Sequence, residues 1–447
     1  MKAAVLYFNG INDREKNELA AQCKILEGFY GELVEFLPPQ LVGSPLLADA
    51  DCVVFPQLVG LAFSEVENLK KIKLPVVVLT SQFGTVEMWD WEIVTFLRDA
   101  GLTVFSPYNV ELAKCIFRAI ACKGQMQGGV RFLMFQDDPG EVMQAGIFKR
   151  FYWWEEECTK GLEKAFGIKI IYKSYKALCE RSKAISDAAA KEACKGWDVP
   201  QEGVSEANYL KAVKVYVAVK EVIAELGGIE GGIQGVGANC LNESFHSETT
   251  PCLAWNMLYE KDNILWVCEG DTLSLISKYI FYSILQRPIM MTNIYPFLMG
   301  MAALKHEKID KFPEVPNGDN HALGVHCGYF GLAPQSFCSH WTLRPKVLEI
   351  VDDNAIMVDC RMKEGPITMA KLHSDMKKVT LIECEIVKYV QYPGSDCRNG
   401  ALIHYVNDNG HDIMDALSSH HALLIQGNMI PELLQSLRVF GFEVNQL

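Results

Sequence analysis

From Met1 to about Lys123, short apolar runs alternate with longer stretches of helical period. AAVLYF, DCVVFP, LPVVVLT and LTVFSP are β-branched and almost continuous in apolar residues, the texture of strands covered on both faces. Helices are predicted between them, at Glu15–Tyr30 and Trp89–Ala100. A polar, glycine-rich joint follows at Gln125–Gly129, and the alternation restarts with VRFLMF, IKIIYKSY, GIQGVGANC, DNILWVCEG and PIMMTNIY. The helices expected there are Ala145–Phe166, Tyr175–Cys194, Glu206–Leu226, Cys252–Tyr259 and Leu273–Leu285. Near Tyr295 the pattern changes to short strands separated by turn residues: ALGVHCG, KVLEIVDD, AIMVDCR, ITMAKLH, KVTLIECEIVKYV, ALIHYVN and HALLIQG. A last helix is expected at Ile430–Gly441. The pattern predicts an α/β protein: two doubly wound parallel α/β domains, residues 1–125 and 126–290, then an antiparallel β-barrel-like domain, residues 291–447.

The 447 residues exceed one core, and 49% hydrophobic with 22% charged residues marks an ordinary globular composition. A net charge of −13 argues against nucleic acid or an anionic membrane as bulk partner. No apolar run reaches the ~18 residues of a membrane span. The chain enters its first strand at Lys2 with no signal peptide, so a cytoplasmic location is expected. Fifteen cysteines with no C-x-x-C pair read as reduced, buried thiols. The chain carries no G-x-G-x-x-G, P-loop, H-E-x-x-H or G-x-S-x-G, which removes the common nucleotide, zinc-protease and serine-hydrolase signals.

Candidate chemistry gathers where strands end. GIQGVGANC leads to Glu243, and ILWVC leads to Glu269 and Asp271. Strand carboxyl ends of an open parallel sheet are where ligands sit. Glu243 and Asp271 are 28 residues apart, room for a crossover helix between adjacent strands. Two acids at one sheet edge begin a hard-metal site. Their plain alternative is helix capping, Asp271 being a good N-cap for the helix that follows. His420 and His421 enter an apolar strand and point to opposite faces, so one of them can face a site. His326 lies in GVHCGYFG, whose glycines allow close approach of a ligand. Trp89 and Trp91 follow a strand end; the plain reading makes one core and the other half-buried, the functional reading an aromatic wall for a sugar or a neighbouring subunit.

Five short stretches, taken together, resemble the L-fucose isomerase and L-arabinose isomerase superfamily. CLNE (Cys240–Glu243) resembles that family's Cys-Trp-Pro-Glu, and CEGD (Cys268–Asp271) its Cys-Glu-x-Asp. GVHCG is similar to its His-Cys-Gly turn. EGPITMAKL resembles its Gly-x-x-Thr-x-x-[RK]-Leu strand, and SHHALLIQGN its C-terminal His-His stretch. The resemblance runs from about Val130 to the C-terminus.

The resemblance implies an aldose–ketose isomerase using a divalent cation, Mn2+ or another such as Mg2+ or Co2+, and an ene-diolate. Its metal ligands would be Glu243, Asp271 and His421, with His420 the runner-up. Glu243 and Asp271 would also carry the proton between C1 and C2. Glu269 is expected to face away from the metal. Substrate contacts are implied at His326, His420, Trp89, Trp91 and Asn428. The family also implies a homo-oligomer, a hexamer, acting on a small-molecule sugar. Leu241-Asn242 in place of Trp-Pro, the SETT stretch at Ser247–Thr250 and Ser418-Ser419 before the histidines depart from the pattern around the sugar pocket. The substrate is therefore left as a pentose, a 6-deoxyhexose or a C6-modified hexose. The rival reading is a cytosolic sugar-binding or regulatory protein on a two-lobed α/β scaffold, without isomerase activity.

Overall fold

Six strands build the first sheet: β1 (Lys2–Tyr7), β2 (Glu35–Phe36), β3 (Gln40–Leu41), β4 (Cys52–Phe55), β5 (Val76–Val78) and β6 (Val104–Phe105). They pair in parallel in the order β2-β1-β4-β5-β6, with β3 also on β1. The structure, a computed structural model, describes residues 1–9, 11–46, 49–57, 60–137, 156–296, 315–326, 329, 333–335, 338–348, 351–391 and 399–447, without the side chains of 241–244, 391 and 399. The chain divides into two compact units. The first is Met1–Gln125 with Ser283–Leu285 and Pro431–Phe442, and the second is the remainder.

In the first unit the apolar strand runs are buried as their composition requires: Val53, Val54, Val76, Val77 and Val78 lose all exposure. The helix Asp13–Tyr30 starts with a capping box in which Asn12 and Glu15 satisfy each other's backbone N–H. The helix Met88–Asp99 corrects the plain reading of the tryptophans. Its buried face is Asp90, Val94 and Leu97, at i, i+4 and i+7. That phase turns Trp89 and Trp91 outward, 65% and 61% exposed.

The second unit holds a parallel sheet and a barrel. β7 (Arg131–Phe135), β8 (Lys169–Lys173), β9 (Ile233–Ala238) and β10 (Leu265–Val267) run in the order β10-β9-β7-β8, all parallel. β11 (Met290–Pro296), β12 (His321–Val325), the hairpin β13 (His340–Pro345) with β14 (Ile356–Arg361), β15 (Gly365–Leu372), β16 (Lys378–Gln391), β17 (Asn399–Tyr405), β18 (His421–Gln426) and β19 (Glu443–Gln446) follow. Six of them close a barrel, β15-β18-β11-β12-β17-β16, sealed by the β15–β16 pairing; β19 adds in parallel to β16. Closure leaves these six strands no free edge. One hydrophobic cluster spans both layers, with Trp255 and Trp266 beside the sheet and Ile367, Met369 and Leu424 from the barrel.

Several expected elements differ. KVLEIVDD is not a strand among its described residues; the strand is the preceding HWTLRP, which pairs with β14 and buries Trp341. The single helix expected at Tyr175–Cys194 is two, Tyr175–Ala184 and Asp187–Ala193, because Ser186 caps a new start by accepting the Ala189 N–H. Of Ala145–Phe166, residues 145–155 lie outside the described ones, and the helix is Glu156–Phe166. Among the described residues no helix is long and apolar enough to cross a membrane.

Gly235 and Gly237 let β9 lie close to its neighbours. A Cβ on Gly235 would meet Leu275 of the helix Thr272–Leu285 at 2.9 Å, and one on Gly237 would meet Met134 and Val267 at 2.7 Å. That close packing sets β10 and the helix Thr272–Leu285 beside β9.

Candidate functional site

The site is built where β10 ends. Cys268 to Asp271 connects it to the helix Thr272–Leu285, and the turn is made by two successive left-handed residues, Glu269 (φ 55°) and Gly270 (φ 67°). Glycine accepts that conformation freely. For a glutamate it is uncommon, with a cost on the order of 1 kcal/mol, and such strain gathers at functional positions. Asp271 is the N-cap of the helix. Its Oδ1 accepts the Ser274 N–H at 2.8 Å and its Oδ2 the Ser274 hydroxyl at 2.6 Å.

The barrel brings imidazoles to the same place. Asn293 on β11 pairs with His421 on β18 and with Val325 on β12, and His326 follows Val325. His421 Nδ1 donates to Asp271 Oδ2 at 2.8 Å across 150 residues of sequence. A carboxylate only accepts, so Nδ1 carries the hydrogen and Nε2 turns toward Glu269 Oε2, 3.6 Å away. His326 Nδ1 lies 3.2 Å from Asn293 Oδ1 and 3.8 Å from Glu269 Oε1. An amide oxygen also only accepts, so the lone pair of His326 is left on Nε2. That buried atom has no hydrogen-bond partner among the described residues. The two rings stand 6.3 Å apart at 90°. Glu269, Asp271, His326 and His421 are all buried.

The titration of these groups follows from burial and pairing. Burial works against ionisation of Glu269, but His421, whose Nε2 lies 3.6 Å away, and the charge of His326 outweigh it and hold the carboxyl at about 2. Burial opposes the ionised Asp271 as well; the His421 bond, the Lys371 charge and the Ser274 bond keep its carboxyl below the usual range. Burial opposes the charged His421, but its bond to Asp271 and the nearby Glu269 and Asp271 charges overcome that cost and raise it. Burial pushes His326 down to about 4, so it is neutral at ordinary pH. His420 is pushed down to about 3 by burial and by the neighbouring His421 charge. Lys371, buried on β15, is lowered by burial and partly restored by Asp271.

Of the candidates read from sequence, Asp271, His421 and His326 come together, and His420 stacks edge-on to His421 with ring centres 4.5 Å apart. Glu243 lies within the helix Cys240–Ser247, which begins two residues after β9, and its side chain is outside the described ones. Asn428 is engaged elsewhere: its amide donates to Glu383 and accepts the Ile430 N–H. Trp89 and Trp91 belong to the first unit. The expectation that Glu269 faces away does not hold. It placed Glu269 on the approach to the strand end; the left-handed turn at Glu269–Gly270 instead brings the carboxylate to 3.6 Å from His421 Nε2. An acid before a glycine at a strand end was the signal available in CEGD. Asn293 carried no sequence signal, because only the β11–β12–β18 register makes it a partner of His326.

A divalent cation fits this donor set in kind. Each imidazole has its Nδ1 held by an oxygen, Asp271 for His421 and Asn293 for His326, the arrangement that aims Nε2 at a metal. Among the described residues, no group of three or more His, Cys, Asp or Glu side chains is placed to hold a metal ion. In the first unit a separate cavity of about 410 Å³ opens at the ends of β1 and β4, lined by Phe8, Glu15, Glu18, Gln57, Leu61 and Thr80 among others. Compared with protein-family models and with curated proteins, the chain matches none.

Proposed function

We propose that the chain is a metal-dependent aldose–ketose isomerase acting through an ene-diolate on a pentose, a 6-deoxyhexose or a C6-modified hexose. The observation that carries this reading is the convergence of the Glu269–Asp271 turn with His421, from the far end of the chain, in one buried cluster. Parts of three of the motifs that resemble the sugar isomerases lie in that cluster: Glu269 and Asp271, His326, and His421. In the reaction C2 loses a proton, C1 gains one, and the hydroxyl proton on O2 passes to O1. No oxidant is needed. A bound divalent cation, Mn2+ in this reading, supplies positive charge where the two oxygens become negative.

The residues divide the work by their hydrogen bonding. Glu269, His421 and His326 would hold the ion only together with Glu243, since the described side chains by themselves form no metal-holding group. Asp271 accepts bonds on both oxygens and is kept ionised, so it makes a weak base; its part is to fix His421. The proton shuttle would fall to Glu243, on the helix that follows β9, because both oxygens of Asp271 are already taken by Ser274 and His421. The homo-oligomer and a covering role for Trp89 and Trp91 belong to the same reading.

The test is a panel of aldoses, including 6-deoxy and C6-modified hexoses, incubated with the full chain with and without Mn2+ and assayed for ketose. Manganese-dependent ketose from at least one aldose is expected. No turnover of any aldose with bound metal present refutes the reading.

A further inference from the structure

Asn239 stands at the carboxyl end of β9, one strand over from Glu269. The last pair of that ladder joins Gly237 to Val267. Asn239 and Glu269 each lie two positions further along. The Asn239 N–H still donates to the Phe135 carbonyl at 3.2 Å, which holds its backbone to β7. Its side chain has no exposure at all. It occupies the N-cap position of the helix Cys240–Ser247, where an asparagine ordinarily accepts a backbone N–H of the first turn. It makes no such bond. Neither Oδ1 nor Nδ2 has a hydrogen-bond partner among the described residues.

A buried amide unmet at both ends is destabilising, and few native groups are left so. Asn239 shares its sheet edge with the strained Glu269 turn, at the kind of edge where parallel sheets bind ligands. The acids there only accept hydrogen bonds. An amide adds a donor next to an acceptor. Neighbouring hydroxyls of a sugar offer the complementary pair, one accepting and one donating.

We infer that Asn239 is a substrate-binding residue that takes two adjacent hydroxyls of a polyhydroxylated chain lying across the ends of β9 and β10. The sugar class rests on the isomerase reading. The unmet amide is an observation independent of it. Asn239 binds and orients the substrate; it moves no proton.

The test uses the full chain with Mn2+ and two variants, Asn239→Leu, similar in size without polar atoms, and Asn239→Ala, which is read if the leucine variant does not fold. Ribitol, L-arabinitol and L-fucitol, which cannot isomerise, are titrated by calorimetry, and the aldose panel is run for kcat and KM. The expected result is an alditol Kd and an aldose KM raised about 10- to 100-fold. The expected kcat is within about threefold of wild type, with Mn2+ affinity held and, for Asn239→Leu, a ligand-free melting temperature at or above that of wild type. Alditol Kd and KM within about twofold of wild type overturn the inference. A parallel fall in Mn2+ affinity and melting temperature makes Asn239 a structural residue and overturns it also. If the wild type turns over no aldose and binds no alditol, the isomerase reading fails and takes the inference with it. If the wild type is active and the variants match it, the inference alone fails.

Discussion

Asp271 carries two tasks that substitution can separate. It caps the helix Thr272–Leu285 through Ser274 and it holds His421 Nδ1. Asparagine caps a helix about as well as aspartate, so Asp271→Asn keeps the bond to the Ser274 N–H. It loses the charge-assisted bond to His421, worth about 1.5–3 kcal/mol in a buried site. Asp271→Ala loses the cap as well, about 1 kcal/mol more. If Asp271 orients His421 for a cation, Asp271→Asn should weaken Mn2+ binding 10- to 100-fold, the usual effect of removing such a partner, or about 1.4–2.8 kcal/mol. Isothermal titration with Mn2+, beside thermal unfolding without metal, reads both quantities. The expected order is wild type, then Asn, then Ala in melting temperature, with Asn and Ala equally poor in Mn2+ affinity. Equal Mn2+ affinity in wild type and Asp271→Asn, with the stability loss present, would show that Asp271 is only a helix cap and refute the reasoning.

Three further outcomes are expected. Glu269→Gln should lower Mn2+ affinity at least tenfold, and Glu269→Gly should do the same while recovering roughly 1 kcal/mol of left-handed strain; calorimetric titration and melting curves check both. Lys278 is fully buried, donates to the Trp266 carbonyl at 3.0 Å, lies 3.7 Å over the Trp266 ring, and is pushed down to about 7 by burial. Its folded form therefore binds fewer protons than the unfolded chain between about pH 7 and pH 10.5, so this group's contribution to stability rises with pH across that window, by on the order of 5 kcal/mol. Lys278→Met removes that dependence: the variant should be the more stable at pH 7, and its lead should shrink by pH 10; parallel melting curves would contradict the buried cation. Gly237→Ala forces a Cβ to within 2.7 Å of Met134 and Val267, and denaturant unfolding should show a loss of about 1–3 kcal/mol.

Much of the architecture was legible because burial on two faces leaves a mark in every strand. AAVLYF and DCVVFP became β1 and β4, and the turn-punctuated C-terminal runs became barrel strands. Where local pattern competed with pairing, pairing won. KVLEIVDD has strand composition, yet HWTLRP takes the place beside β14 because its register buries Trp341 and Leu343 against the core. The tryptophan pair failed for a different reason. Hydrophobicity favoured burial, but the phase of Met88–Asp99 is set by Val94 and Leu97, and Asp90 goes inside with them.

For the site, the chain by itself determined the ingredients: acids after an apolar strand in CEGD, a histidine before a glycine turn, and a histidine pair opening a late strand. Only the tertiary structure decided which of them meet and how. The parallel pairing of β9 with β10 puts Asn239 and Glu269 each two residues past their last ladder pair, the left-handed turn swings Glu269 inward, and the β11 register places Asn293 between His326 and His421. The physical reason is range. Composition and period act over a few residues, while a hydrogen bond between positions 271 and 421 exists only once two separately formed sheets share one core.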